Sequence, residues 1–185
     1  MHSVSTTKMT ARQFLELGED PAGIRLELVD GEVALSPSPI PDHSYIVMKL
    51  GAILIRHVEG KKLGRIYSDV DTVFGEVDVR RPDLIFFQTS RLHIVGPTAI
   101  EGPPDLCVEI ISPSSADIDR QDKFNQYQKG GVRHYWIIDP KAKSIEGFKL
   151  VRGKYRVSGQ GGDNQTVNLP PFEDLDINLD ELWPR

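Results

Sequence analysis

Residues 105–111, Asp-Leu-Cys-Val-Glu-Ile-Ile, and residues 134–138, His-Tyr-Trp-Ile-Ile, are two apolar runs that flank a helical segment. After a Pro/Ser turn at residues 112–115, that segment runs from about Asp117 to Lys129 and stops at Gly130-Gly131, a typical C-terminal signal. A strand, a helix and a strand at this spacing form a βαβ unit with parallel strands and a right-handed connection. The stretch therefore predicts an α/β fold built around a sheet.

Turn signals and apolar spacing on either side of this unit predict the remaining elements. Asp30-Gly31 between two apolar runs indicates a β-hairpin near the N-terminus. A second hairpin is expected over Ser144–Val157, turning near Gly153, and a short C-terminal turn is expected to pack Trp183. The other predicted elements are helices over Ala11 to about Leu17, capped by Thr10, and about His43 to Glu59, and strands over Arg25–Val29, Glu32–Leu35, Arg65–Phe74 and Arg81–Phe87.

Composition limits the class of protein. The 185 residues, 39% hydrophobic and 26% charged, predict one soluble domain over residues 1–185, with a core at about 10–157 and a tail at 158–185. A net charge of −5 counts against a protein that coats nucleic acid. One cysteine, Cys107, excludes an intrachain disulfide, and scattered histidines argue against structural zinc. No membrane-spanning run or secretory signal is recognised, so a cytoplasmic protein without membrane association is expected.

Two carboxylates in apolar strands are the candidate chemical centre. Side chains alternate along a strand, so Glu109 lies on the face of Cys107, while Leu106 and Val108 point the other way into a core. A buried carboxylate needs a cation or a proton as partner. Asp83 likewise opens an apolar strand, and if the two strands are neighbours their carboxylates converge. Oxygen ligands of this kind suit Mg²⁺ or Mn²⁺.

Lys123, on the helix that follows Glu109, is the candidate positive group near this centre. Its helix face could lean over the sheet edge toward the carboxylates. Structural alternatives stay open for each residue. Asp83 could simply begin a strand, Glu109 could form a structural ion pair, and Lys123 could pair with Asp119 on the helix surface. His43 is interpreted as a residue that solvates the first amides of its helix.

Five ordered phrases carry a resemblance to a known family. They are LELVDGEV (26–33), SPSPIPDHS (36–44), VRRPDLIFF (79–87), PPDLCVEIISPSS (103–115) and DRQDKFNQYQKGGVRHYWIIDP (119–140). Together they resemble the PD-(D/E)XK nuclease superfamily, and more closely its Uma-type bacterial branch of "putative restriction endonuclease" proteins. The third position of the superfamily's E-x-K signature is Ile111 here, and Lys123 matches the place to which the branch moves its lysine.

The resemblance implies a restriction endonuclease-like fold, with a central mixed sheet flanked by helices and an N-terminal β-hairpin. It implies that Asp83, Glu109 and the backbone carbonyl of Ile110 ligate Mg²⁺ or Mn²⁺. Lys123 would orient or deprotonate the attacking water or stabilise the phosphate charge, and Glu27 would hold a water or a second metal. The implied reaction is metal-assisted hydrolysis of phosphodiester bonds, with DNA as substrate and a homodimer as the assembly.

Two functions of different classes therefore remain at this point. The first is a Mg²⁺-dependent DNA endonuclease. The second is a catalytically silent interaction module in a mobile-element or defence system, because a fold does not by itself confer an activity. The second hypothesis predicts that Lys123 points into solvent.

Overall fold

The computed structural model describes residues 8–22, 24–36, 38–112 and 118–184, and the side chains of Ile118 and Asp119 are not among the described groups. The predicted turn at 112–115 lies outside these residues apart from Ser112, and the proposed partner of Lys123, the Asp119 side chain, lies outside them too. The helices are α1 (Ala11–Leu15), α2 (Pro41–Gly60) and α3 (Phe124–Gly130), with a π-helical segment over Ile118–Lys123 and 3₁₀ turns over Thr89–Ile94 and Leu179–Glu181.

The strands are β1 (Arg25–Val29), β2 (Glu32–Ser36), β3 (Gly64–Tyr67), β4 (Thr72–Gly75), β5 (Asp78–Arg80), β6 (Leu84–Gln88), β7 (Ile100–Glu101), β8 (Leu106–Ile110), β9 (His134–Asp139), β10 (Ser144–Val151), β11 (Lys154–Gly162), β12 (Thr166–Leu169) and β13 (Phe172–Asn178). A six-stranded mixed sheet has the order β11-β10-β9-β8-β6-β3. A five-stranded sheet has the order β2-β1-β5-β4-β7, and β12 pairs with β13.

The predicted strand–helix–strand unit is confirmed. β8 and β9 are parallel neighbours, with Glu109 opposite Ile137, and α3 follows the π-helical segment between them. The stop at Gly130-Gly131 is confirmed by a left-handed Gly131 with φ 83°. The N-terminal hairpin is also confirmed, with positive φ at both Asp30 (49°) and Gly31 (79°), as its two-residue turn requires.

Two predicted strands are divided differently in the structure. The expected strand Arg65–Phe74 is two strands in different sheets, because the chain turns at Asp69, whose φ of 56° is incompatible with a strand. The expected strand Arg81–Phe87 begins only at Leu84. Pro82 has no N–H to donate to a ladder, and the residues before it form β5 in the other sheet.

β8 is buried on both faces. Leu106, Val108 and Ile110 pack in the cluster that includes the buried side of α2, as the period-2 pattern predicts. Cys107 packs in a second cluster on the opposite face, where Glu109 also lies. The hairpin β12–β13 was not predicted; it and Trp183 complete the first cluster. The expected packing of Trp183 is confirmed, since its Nε1 donates to the Asp163 carbonyl at 2.7 Å.

Candidate active site

Asp83 and Glu109 are brought together by the antiparallel pairing of β6 and β8. Leu84 pairs with Val108, so continuing the register by one residue places Asp83 opposite Glu109. β6 starts after Asp83, and the Ile110 amide donates to Asp83 Oδ2 at 2.7 Å. The strand pairing therefore places both carboxylates, with the Ile110 backbone, at one end of the ladder.

The carboxylate of Glu109 is almost fully enclosed, with 2% of its side chain exposed. Its Oε2 lies 2.7 Å from Lys123 Nζ, and its Oε1 accepts a hydrogen bond of 2.5 Å from the Tyr127 hydroxyl. Burial raises the pKa of Tyr127 well above its ordinary value, so the phenol stays protonated and donates. Lys123 and Tyr127 lie four residues apart on one helical face and together hold the buried carboxylate.

Asp83 is also held by a histidine from a distant part of the chain. His43 Nε2, in the first turn of α2, lies 3.0 Å from Asp83 Oδ2. His43 Nδ1 is buried and has no hydrogen-bond partner within the described residues. The interpretation of His43 as a residue that merely solvates helix amides therefore needs correction: its ring contacts a candidate site carboxylate. No local pattern reveals this, because the two residues are 40 positions apart.

Glu27 forms a second buried pair beside the first. Its Oε2 accepts from Arg80 Nη1 at 2.8 Å, and its Oε1 accepts from the Arg81 amide at 3.0 Å. Arg80 Nε also donates to Gln126 Oε1 at 2.7 Å. Burial acts to lower the pKa of Arg80, but the charge and hydrogen bond of Glu27 raise it, so the guanidinium stays charged. The hairpin β1–β2 and β5 thus bring a carboxylate and a fixed cation to the site.

One cleft of about 360 Å³ connects these groups. All five residues singled out from the sequence line it: Glu27, Asp83, Glu109, Ile110 and Lys123. It is also lined by His43 and Arg80, which were not predicted as site residues. The hairpin β1–β2 and the start of α2 also line the cleft.

The donor set suits a hard divalent cation. Two carboxylates and a backbone carbonyl are oxygen ligands of the type that Mg²⁺ and Mn²⁺ prefer. In the part of the chain that the structure describes, no group of three or more His, Cys, Asp or Glu side chains is arranged to hold a metal ion. The predicted set has only two such side chains, Asp83 and Glu109, so a cation here would complete its shell with the carbonyl, water or substrate oxygens.

A comparison with protein families places nearly the whole chain in a family. The family model described as "Uma2: Putative restriction endonuclease" matches residues 11–180. The chain belongs to the Uma2 family. This membership supports a restriction-type nuclease at the level of the family description.

Two relatives of this Uma2 protein are informative. An uncharacterized protein of Synechocystis sp. strain PCC 6803 is 23% identical over 154 residues, covering 82% of this chain and 86% of the relative. The crystal structure of "a putative nuclease belonging to DUF820" from Anabaena variabilis superposes with a TM-score of 0.77 at 22% identity, covering 95% and 97% of the two chains. This likeness confirms the restriction endonuclease-like fold. Among the described residues, no helix is long and apolar enough to cross a membrane.

Proposed function

We propose that this Uma2 protein is a Mg²⁺- or Mn²⁺-dependent endonuclease that hydrolyses phosphodiester bonds of DNA. The observation that carries the proposal is the meeting of Asp83, Glu109 and Lys123 in one cleft, with the Lys123 amine 2.7 Å from Glu109. Two carboxylates and a lysine at the end of a mixed sheet are the groups that the resemblance assigns to metal-assisted hydrolysis. The family description and the fold support the same reaction class.

In the proposed site Asp83, Glu109 and the Ile110 carbonyl would hold the cation. The bound ion would polarise the phosphate and lower the pKa of a bound water. Tyr127 and Lys123 hold the Glu109 carboxylate, while His43 and the Ile110 amide hold that of Asp83. These contacts keep the ligand oxygens in place before substrate arrives, which lowers the cost of organising the site during reaction.

Lys123 is the proposed catalytic cation. In its present contact it neutralises Glu109, and a cation at the carboxylates would release its amine toward the attacking water or the phosphate. Glu27 is better assigned to positioning than to a water or a second metal. Both of its oxygens already accept hydrogen bonds from Arg80 and Arg81, which supports a role in holding the Arg80 guanidinium against the cleft.

The interaction-module hypothesis predicts Lys123 in solvent. Only 14% of that side chain is exposed, and its amine contacts a buried carboxylate, which favours the nuclease. The homodimer and the cytoplasmic location stay predictions. Light scattering on the purified chain tests the first, and fractionation of cells that express it tests the second.

Cleavage of DNA by the full chain, supplied as supercoiled plasmid and as a circular single strand, tests the proposal. Cleavage of at least one of these substrates is expected with Mg²⁺ or Mn²⁺ and not with EDTA, and it should disappear in Asp83→Asn, Glu109→Gln and Lys123→Met. Matched controls are Glu173→Gln and Lys154→Met, which alter exposed residues on other strands. The proposal fails if the purified protein never cuts nucleic acid, or if the site variants cut as well as the controls.

A further inference from the structure

We propose that the cleft takes a single strand of nucleic acid, with one or two phosphates in the site, and does not grip a duplex. This inference rests on the proposed nuclease function and specifies its substrate class. Three observations support it: the depth of the site, the size of the cleft and the pairing of its basic side chains.

The candidate site lies below the protein surface. The side chains of Glu109, Lys123 and His43 are 2%, 14% and 13% exposed. Asp83, the most open of the candidate ligands, is 19% exposed. A scissile phosphate must reach these groups below the protein surface. A phosphate within a duplex is flanked by a second strand and by stacked bases, whereas a single strand can bend inward.

The size of the cleft sets the same limit. Pockets of about 300–1,000 Å³ enclose one small organic molecule, and this cleft of about 360 Å³ is at the low end of that range. One nucleotide is a unit of that size. A duplex, whose major groove alone is about 12 Å wide, is not. Enzymes that do chemistry on a base inside a pocket likewise act on single strands or on bases taken out of the stack.

The charges of the cleft are the third observation. In the described part of the chain, four basic side chains line the cleft, and all four pair with carboxylates: Arg25 with Asp69, Arg80 with Glu27, Arg81 with Asp20 and Asp71, and Lys123 with Glu109. Five acidic residues line the same cleft. A duplex carries one charge per about 1.7 Å and is held by many free cations. This cleft supplies few, so we expect few phosphate contacts.

The wall formed by β2 provides a way to test the path of the strand. Ala34 lies directly opposite Glu27 in the β1–β2 pair, so both side chains are on the cleft face. Every residue of β2 lines the cleft, so a control must lie on another strand. Ala34→Phe therefore narrows the cleft, and Val157→Phe is the control, because Val157 is exposed on β11 and does not line the cleft.

The first measurement compares cleavage of a fluorescein-labelled 20-nucleotide single strand with that of the blunt duplex of the same sequence, in Mg²⁺ or Mn²⁺. The single strand should be cut at least tenfold faster, and a duplex with a single-stranded overhang should be cut only in the overhang. Ala34→Phe should slow single-strand cleavage at least tenfold, while Val157→Phe should not. Equal rates on single strand and duplex, or an unchanged rate in Ala34→Phe, would overturn the inference and leave the nuclease function standing.

The second measurement is binding of the same oligonucleotides, followed by fluorescence anisotropy in Ca²⁺, which takes oxygen ligands like those of Mg²⁺. One or two phosphate contacts predict a slope of log K against log salt of about −0.7 to −1.4 for the single strand, whereas six duplex contacts would give about −5. If nothing is cut, the proposed function fails and binding decides this inference. Tighter binding of the single strand by tenfold supports it, and equal or tighter binding of the duplex overturns it.

Discussion

Asp105 and Glu109 lie on the same face near opposite ends of one strand, and the residues are equally buried, at 1% exposure each. Asp105 accepts from the Gln88 amide at 2.9 Å and pairs with Arg91 at 2.9 Å and Arg133 at 3.2 Å. Glu109 contacts a lysine and a tyrosine and lines a cleft, which Asp105 does not. A buried carboxylate therefore becomes a candidate catalytic group through its access to substrate, not through burial alone.

The largest expected effect separates the two carboxylates. Glu109→Gln should reduce cleavage about 10³-fold, because it removes a proposed metal ligand worth several kcal/mol of barrier. Asp105→Asn should instead lower the free energy of unfolding by about 3 kcal/mol, since it leaves two arginines without their buried partner. Urea denaturation and cleavage rates per folded molecule measure both. A larger loss of activity per folded molecule in Asp105→Asn than in Glu109→Gln would contradict the assignment of Glu109 to catalysis and of Asp105 to stability.

Substitution of the cation beside each carboxylate should have a smaller effect, and the effect on cleavage should differ between the two. Lys123→Met should slow cleavage about 10²-fold or more, as loss of a group that assists proton transfer does. Arg133→Met should leave cleavage nearly unchanged and cost less than about 1 kcal/mol, because the Arg133 side chain is 59% exposed. Single-turnover rates at saturating Mn²⁺ distinguish them. A similar loss of rate in both variants would show that Lys123 acts through stability alone.

Tyr127→Phe should have a smaller effect. The hydroxyl holds Glu109 without touching substrate, so its loss should weaken Mn²⁺ binding about 10-fold, the lower range for partners that orient a metal ligand. Calorimetric titration with Mn²⁺ measures this, and raised Mn²⁺ should restore most of the cleavage rate. Tyr155→Phe is the control, because that hydroxyl bonds the Val132 carbonyl and does not line the cleft. Equal Mn²⁺ affinity in wild type and Tyr127→Phe would exclude the positioning role.

The smallest expected effect is on the pH dependence of stability, and it comes from His134, which lies beside Asp105. Burial first, and then the charge of Lys149, lower the pKa of His134 from 6.5 to about 4. Between these two values the unfolded chain binds the proton more readily, so stability falls as pH decreases from 6.5 toward 4. His134→Gln should flatten that part of the stability profile, as measured by urea denaturation at a series of pH values. A profile of unchanged slope would contradict the assignment.

Local patterns predicted a good part of this molecule. The two apolar runs around a helix stopped by Gly130-Gly131 predicted the β8–α3–β9 unit, and Asp30-Gly31 predicted the hairpin. Alternation along β8 placed Glu109 on the face of Cys107. These features depend on backbone preferences within a few residues, which is why one sequence reveals them.

Those local patterns did not predict which residues far apart in the chain contact one another. The division of residues 65–74 between two sheets depends on segments far apart in the chain, and so does the contact of His43 with Asp83. The Glu27–Arg80 pair joins residues 53 positions apart. A sequence specifies which side chains are available and which face of a strand they occupy. Only packing of the two sheets and α2 decides which carboxylate meets which cation, because those energies arise from contacts that no local spacing encodes.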